Sequence, residues 1–433
     1  MLKKFAQKYI VRQLERKVAQ LLAGHKITII AVTGTVGKTG AKLAIGQLLE
    51  ANGRKVCYSE DSYNTDIGVP LALFGLKVPV RLADPMAWRA LLKEIDTMIH
   101  QYPYDTAVIE IAEDERAMMT PWLERLKPQI SVFTGASAAH MERFESVEQL
   151  RDDAAWLASQ AERSFYNADM EMEREVMERR KHAVGYGIEH GTIRIDPKSI
   201  KRGRDGLLQA ELIVGKSRAV IKTQFVARHS LSYVLAAAAV AHELGVDFAA
   251  ICKTASQIRP AIGRIRLLAG VNDSQLLDDS YNASPAAVKA GIDTLLELPI
   301  KKGARRIAVL GSMNELGDFS ASLHREVGEY AASKNVDLLV TVGKEAMNLL
   351  APAAIDAGLA KEKVKQFRTP YEAGHYLKSR VQPGDIIFVK GSQNGVFTEE
   401  TSRILLSPDL DPAKELVRQS KSWKARKKKS FGI

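Results

Sequence analysis

The chain has 433 residues, 46% of them hydrophobic and 26% charged, a length that suggests two or three domains with ordinary apolar cores. No apolar run reaches the ~18 residues of a membrane span, and the N-terminus lacks the apolar stretch and cleavage site of a secretory signal. Its two cysteines, Cys57 and Cys252, are too few for a disulfide framework or a cysteine zinc site, which fits a reducing, cytoplasmic setting.

The net charge of +11 is concentrated at the ends. Residues 1–26 carry net +6 and residues 412–433 net +7, which leaves the body nearly neutral. That distribution argues for electrostatic contacts made by the termini, at the inner face of a membrane among other surfaces. No basic block interleaved with aromatics is present, so no nucleic-acid partner is expected.

In chain order, residues 1–23 read as an amphipathic helix. Leu2, Phe5, Tyr9, Ile10, Leu14, Val18 and Leu21 recur at helical spacing and cations fill the other face. Packing on the protein's own body competes with membrane-surface attachment for that stripe. Residues 26–32 read as a buried strand, and a helix is predicted over 38–51. Strand-like runs follow at 55–59, 106–111, 130–134 and 164–167, with helical stretches between them, which predicts a mainly parallel α/β sheet. Residues 191–226 carry short β-like runs and read as a small β subregion at the domain's side. An alanine-rich helix over 230–244 comes next.

Pro260 and Gly263 mark a junction. Strands are then predicted at 275–278, 307–310, 338–342 and 386–389. The expected organisation is a basic helix (1–25), a central nucleotide-binding domain (26–262), a second Rossmann-like α/β domain (263–408) and a basic, mobile tail (409–433).

The strongest local signal is Thr33, Gly34, Thr35, Val36, Gly37, Lys38 and Thr39, between strand and helix. Glycines let backbone N–H groups approach a phosphate, and the helix N-terminus favours negative charge. Lys38 has the reach to meet the terminal phosphates of ATP, and the Thr39 hydroxyl suits Mg²⁺. The first glycine of the strict pattern is replaced by Val32.

This loop resembles the phosphate loops of Mur ligases and folylpolyglutamate synthases. Further blocks run in the same order: SYNTDIGVPLALF (62–74), AVIEIA (107–112) and AAHMERFESVEQL (138–150). Beyond the junction, LLDDSYNASPAAVKAGIDTL (276–295), IAVLGSMNELGDFSASLHREVG (307–328) and GDIIFVKGS (384–392) resemble the Mur ligase branch that adds D-alanyl-D-alanine to a peptidoglycan precursor.

The resemblance implies a ligase that phosphorylates a carboxylate with ATP and lets an amine attack the acyl phosphate. It implies Mg²⁺ at Glu110, a second metal supported by His140, and nucleotide contacts from Arg264 and Asn282. Asn64, Asp66 and Lys390 are candidates for substrate contact; Asn64, Asp66 and Asn282 are also placed to cap the helices that follow them.

The pattern breaks at several positions. Ala154 aligns with the family's carbamylated lysine, and Asp152 and Asp153 are the nearby carboxylates that are candidates to replace it in a metal site. Gly135, Ala136, Ser137, Ser230, Tyr233 and Ser312 stand where polar or differently shaped residues are usual. Few residues precede the phosphate loop, so the usual N-terminal domain for the UDP-sugar end is expected to be missing. Two alternatives stay open: a nucleotide-binding paralogue with little or no ligase activity, and a Mur-type ligase for another acceptor, similar to folylpolyglutamate synthases.

Overall fold

The computed structural model describes residues 2–79, 84–111, 116–136 and 146–432. The first half runs α1 (Leu2–Gly24), β1 (Thr28–Thr33), α2 (Lys38–Ala51), β2 (Val56–Tyr58), α3 (Gly68–Leu73), α4 (Pro85–His100), β3 (Thr106–Glu110), α5 (Arg116–Leu126), β4 (Ile130–Phe133), α6 (Val147–Ala158), β5 (Arg163–Asn167), α7 (Glu171–Met177), β6 (Ala183–Gly187), β7 (Ile193–Ile195), β8 (Lys201–Arg202), β9 (Leu208–Val214), β10 (Ser217–Lys222), α8 (Leu231–Glu243) and α9 (Phe248–Ala255).

These strands form one sheet in the order β10-β9-β7-β6-β5-β4-β1-β3-β2, with β8 pairing β9. The run from β7 to β2 is parallel, as continuous apolar strands such as TIIAVT require when both faces are covered. The predicted side subregion at 191–226 is instead a continuation of this sheet: β9 adds antiparallel to β7, and β10 to β9. β1 lies between β3 and β4, so chain order reverses beside it, where open α/β sheets leave a crevice at the strands' C-terminal ends. The alanines of α8 are buried all round, which lets that helix lie close against α2 in the core.

The second half runs β11 (Arg266–Ala269), β12 (Gln275–Asp279), α10 (Pro285–Glu297), β13 (Arg306–Gly311), α11 (Ser320–Ser333), β14 (Leu338–Val342), α12 (Ala351–Asp356), β15 (Val364–Phe367), α13 (Pro370–Lys378), β16 (Ile386–Lys390), α14 (Glu399–Leu405), α15 (Pro412–Glu415) and α16 (Lys421–Phe431). Its sheet has the order β11-β12-β16-β13-β14-β15 and is parallel except for β11. The two halves touch where the turn before β9 meets the second sheet. A Cβ on Gly206 would lie 2.9 Å from Leu298, and Arg202 reaches Glu297 at 2.5 Å.

Two expectations about the termini are corrected. From Ile10 onward the stripe of α1 is packed on the protein's own body: Leu14, Val18 and Leu21 are fully buried in a cluster with Trp88, Ile95 and Trp122, while Tyr9 is exposed. Lys17 pairs with Asp96, and Glu15 lies 3.3 Å from Arg125. The basic tail is not a loose appendage either. Trp423 and Phe431 of α16 pack edge-on against Phe397, and Lys427 is fully buried.

Candidate active site

The 33–39 loop leaves the C-terminal end of β1. Gly34 has φ +123°, and a Cβ there would fall 2.6 Å from Thr134 Oγ1 and 2.8 Å from Gly135 O, so only glycine fits. Gly37, φ +81°, caps α2 in the left-handed conformation. Thr35 N donates to Gly135 O at 2.8 Å, and the Thr134 hydroxyl lies 2.6 Å from Val36 O, so the loop is braced by the end of β4. The Lys38 ammonium reaches back over the loop to Gly34 O. Thr39 is buried, its hydroxyl 3.0 Å from Ser62 Oγ.

Beside this cradle, the register pairs Val32 with Glu110, which puts the carboxylate at the C-terminal ends of the strands. Glu110 is 2% exposed. Its companion is Lys42, one turn beyond the loop on α2, whose ammonium sits 2.9 Å from Glu110 Oε1 and donates to Asp61 O at 2.8 Å. The Lys42–Glu110 contact is an ion pair without hydrogen-bond geometry, and neither carboxylate oxygen accepts a hydrogen bond among the described residues. A buried carboxylate with an open oxygen, near a buried hydroxyl and a phosphate-type loop, fits a hard oxygen-seeking cation such as Mg²⁺. Among the described residues no cluster of three or more His, Cys, Asp or Glu could hold a metal. His140 lies outside the described residues.

Ala154 faces the core, fully buried with Phe133, Ala155, Tyr166 and Met177. Asp152 is exposed and paired with Arg151 at 2.7 Å, and Asp153 is half-buried on the same helix. The carboxylate that does enter this region is Glu173 on α7. It is buried, accepts from Ala136 N, and has its pKa raised mainly by that burial. Asp66 accepts from Gln7 of α1 at 3.3 Å, and Asn64 is half-buried in the same loop. Neither caps α3, because Thr65 Oγ1 accepts from Gly68 N at 3.0 Å.

The second half presents the ends of β12 and β16 at the junction. Lys390 is 3% exposed, pairs with Asp279 at 2.5 Å and donates to Asn282 O at 2.9 Å. It is therefore turned inward as a brace for the 280–282 loop, and burial pushes its pKa down. The Asn282 side chain accepts from Gln393 N at 3.4 Å and so ties that loop to the one after β16, in place of capping α10. The Arg264 guanidinium stacks 4.2 Å over the Tyr281 ring, and its Nε has no hydrogen-bond partner among the described residues.

Two residues of the first half complete the crevice. The Tyr233 ring lies against the first turn of α2, where Cβ atoms on Gly37 and Gly40 would come within 3.1 and 2.6 Å of it. Arg264 and Asp279 act electrostatically on its hydroxyl. Desolvation pushes the pKa of His229 down, while the charge of Asp279 opposes that shift. Ser312 is buried and accepts from Ala346 N at 3.1 Å, a structural role.

A phosphate-type loop, a buried carboxylate beside it and a second α/β unit whose Arg264 and Asp279 act on Tyr233 of the same crevice define an enzyme class built to activate a substrate with a nucleotide. The Mur ligase middle domain matches residues 32–241, the Mur ligase glutamate ligase domain matches residues 263–393, and the chain belongs to this family. It is similar to the UDP-N-acetylmuramoyl-tripeptide–D-alanyl-D-alanine ligase of Synechocystis, 28% identical over 85% of this chain and 72% of that protein. The Escherichia coli ligase of the same name is 25% identical over 86% of this chain and 75% of that protein. Among solved structures, MurF from Thermotoga maritima in complex with ADP superposes with a TM-score of 0.73 at 22% identity, covering 91% of this chain and 83% of that one. MurF from Acinetobacter baumannii superposes at 0.72 and 23% identity, over 90% and 79%.

Proposed function

We propose that this chain is an ATP-dependent, ADP-forming ligase that joins D-alanyl-D-alanine to the terminal carboxyl of a peptidoglycan-precursor peptide. The observation that carries the reading is the phosphate cradle of residues 33–39 beside buried Glu110, in a chain of this family. ATP supplies the activating phosphoryl group, and Glu110 and Thr39 would hold Mg²⁺, which would supply neutralisation of the phosphate charge.

The chain's own residues position and screen. Backbone N–H groups of the loop and Lys38 receive the phosphates, and Lys42, 2.9 Å from Glu110 Oε1, fixes that carboxylate in place. Arg264 and Tyr281 close from the second half. A carboxylate oxygen of the peptide attacks the γ-phosphorus and ADP leaves. The amine of D-alanyl-D-alanine then attacks the acyl carbon, and phosphate departs with that oxygen. Water is kept out as the two halves meet.

The test is ADP release with UDP-sugar tripeptide and D-alanyl-D-alanine. Release that needs both substrates supports the reading, and release indifferent to both sinks it. A second reading, nucleotide binding without ligation, is favoured by Ala154 standing in the core where the family places its carbamate. It predicts tight Mg·ATP binding with no amide product.

The reaction is placed in the cytoplasm. Contact with the inner face of a membrane would be electrostatic, through exposed Lys8, Arg12 and Arg16 of α1 and Lys421, Lys424, Lys428 and Lys429 of α16. Each cation near an anionic surface contributes about 1 kcal/mol, weakened by salt. Co-sedimentation with anionic but not neutral vesicles, lost at high salt, is the expected result. Equal binding to both lipids contradicts it.

A further inference from the structure

The C-terminal segment ends in a charged network whose far end is the active-site junction. Lys427 of α16, with no exposed surface, lies 2.8 Å from Glu399 Oε1 and 2.7 Å from Glu400 Oε1, and donates to Arg418 O at 2.8 Å. Glu399 is itself fully buried and receives a two-pronged contact from Arg418, at 2.8 Å from Nε and 2.9 Å from Nη2. The same guanidinium continues forward, to Ser280 O at 2.7 Å and Tyr281 O at 3.0 Å. Tyr281 carries Arg264 on its ring at 4.2 Å, with Arg418 also 5.7 Å from the ring centre.

Backbone and apolar contacts reinforce the link. Tyr281 N donates to Gly263 O at 3.1 Å, and Val417 packs so tightly on Gly263 that a Cβ there would approach it to 2.9 Å. Arg418 has φ +56°, an uncommon conformation for a side chain of its size, and it is fixed by a guanidinium with four hydrogen bonds. Lys427 is buried on the inner face of an otherwise exposed cationic helix, and removing its charge would leave the Glu399 and Glu400 carboxylates without that partner.

We propose that the segment from Leu416 to Phe431 is a clasp that sets the Arg264–Tyr281 pair for the nucleotide, with Arg418 as the positioning residue and Lys427 as its anchor. The proposal rests on the reading that Arg264 meets ATP. The C-terminal helix thus takes part in nucleotide binding without touching the nucleotide. An arginine is needed at 418 because lysine cannot fork onto one carboxylate and two carbonyls together.

The test is a double-mutant cycle in the full chain, read as Kd for Mg·ATP alongside KM and kcat. Arg418→Ala is expected to raise Kd and KM for ATP about tenfold, with kcat changed less than threefold. Arg264→Ala is expected to do the same, and the double variant to be no worse than the poorer single one. Lys427→Met, which keeps the stem and removes the charge, is expected to follow Arg418→Ala. Should Arg418→Ala fail to fold, Arg418→Lys decides the matter, because it retains a cation for Glu399 and loses the fork. Normal ATP affinity in a folded Arg418 variant, with Arg264→Ala impaired, overturns the clasp while leaving the nucleotide reading intact. Normal affinity in both overturns both. Fully additive losses would show that Arg418 acts independently of Arg264 and would also overturn the proposal.

Discussion

At the residue scale, Lys42 is the side chain whose importance the structure adds. Sequence patterns mark Lys38 and Thr39 because the loop chemistry names them, whereas Lys42 is one more lysine on a helix. Only the strand register that brings Glu110 alongside β1 makes it the partner of a buried acid. Lys42→Met should destabilise the fold by about 3–5 kcal/mol by stranding the carboxylate, and adding Glu110→Gln should restore much of that. Denaturant unfolding checks it, and a loss below about 1 kcal/mol contradicts the pairing. Asp278 offers a pH test. Burial, which outweighs the hydrogen bond from Ser402, raises its pKa from 3.8 to about 6. A raised carboxyl binds its proton more tightly in the folded chain, so its contribution is most favourable below pH 4 and is lost as pH rises to 6. Asp278→Asn removes that loss, and its stability relative to the parent should grow by up to about 3 kcal/mol between pH 4 and pH 7. Parallel stability curves would refute this.

At the element scale, the strands with continuous apolar runs are legible in the sequence, and the shorter ones are not. β14 falls at the predicted residues 338–342, and β16 extends its prediction only to Lys390. β11 and β15 escape because they are short edge strands with mixed burial, RLLA and VKQF, which carry no clean period. The two terminal helices show a different limit. An amphipathic stripe states that a face must be covered and does not say by what. For α1 the cover is α3 and α4; α16 carries no such stripe in its run of cations, and its inner face meets Phe397 and the Glu399–Glu400 pair. Leu14→Ala should therefore cost about 2–5 kcal/mol of stability and leave vesicle binding unchanged. A variant of normal stability with impaired lipid binding would restore the anchoring view.

At the scale of the whole molecule, two mainly parallel sheets present the C-terminal ends of their parallel strands to a shared junction. The phosphate loop and Glu110 come from one, and Arg264, Tyr281 and the Asp279–Lys390 pair come from the other. The loop was legible because its glycines and lysine are local in sequence. The junction was only partly so: the bonds of Lys390 to Asp279 and the 280–282 loop, and the reach of Arg418 across more than a hundred residues, have no local signature. The central claim is ligation through an acyl phosphate, and the fate of one oxygen atom tests it most directly. The precursor peptide is supplied with oxygen-18 in its terminal carboxyl, together with D-alanyl-D-alanine and Mg·ATP, and the phosphate and peptide are weighed by mass spectrometry. Attack through an acyl phosphate predicts one labelled oxygen in each phosphate released and a peptide lengthened by the dipeptide. Phosphate without label, or a peptide of unchanged mass, would contradict it.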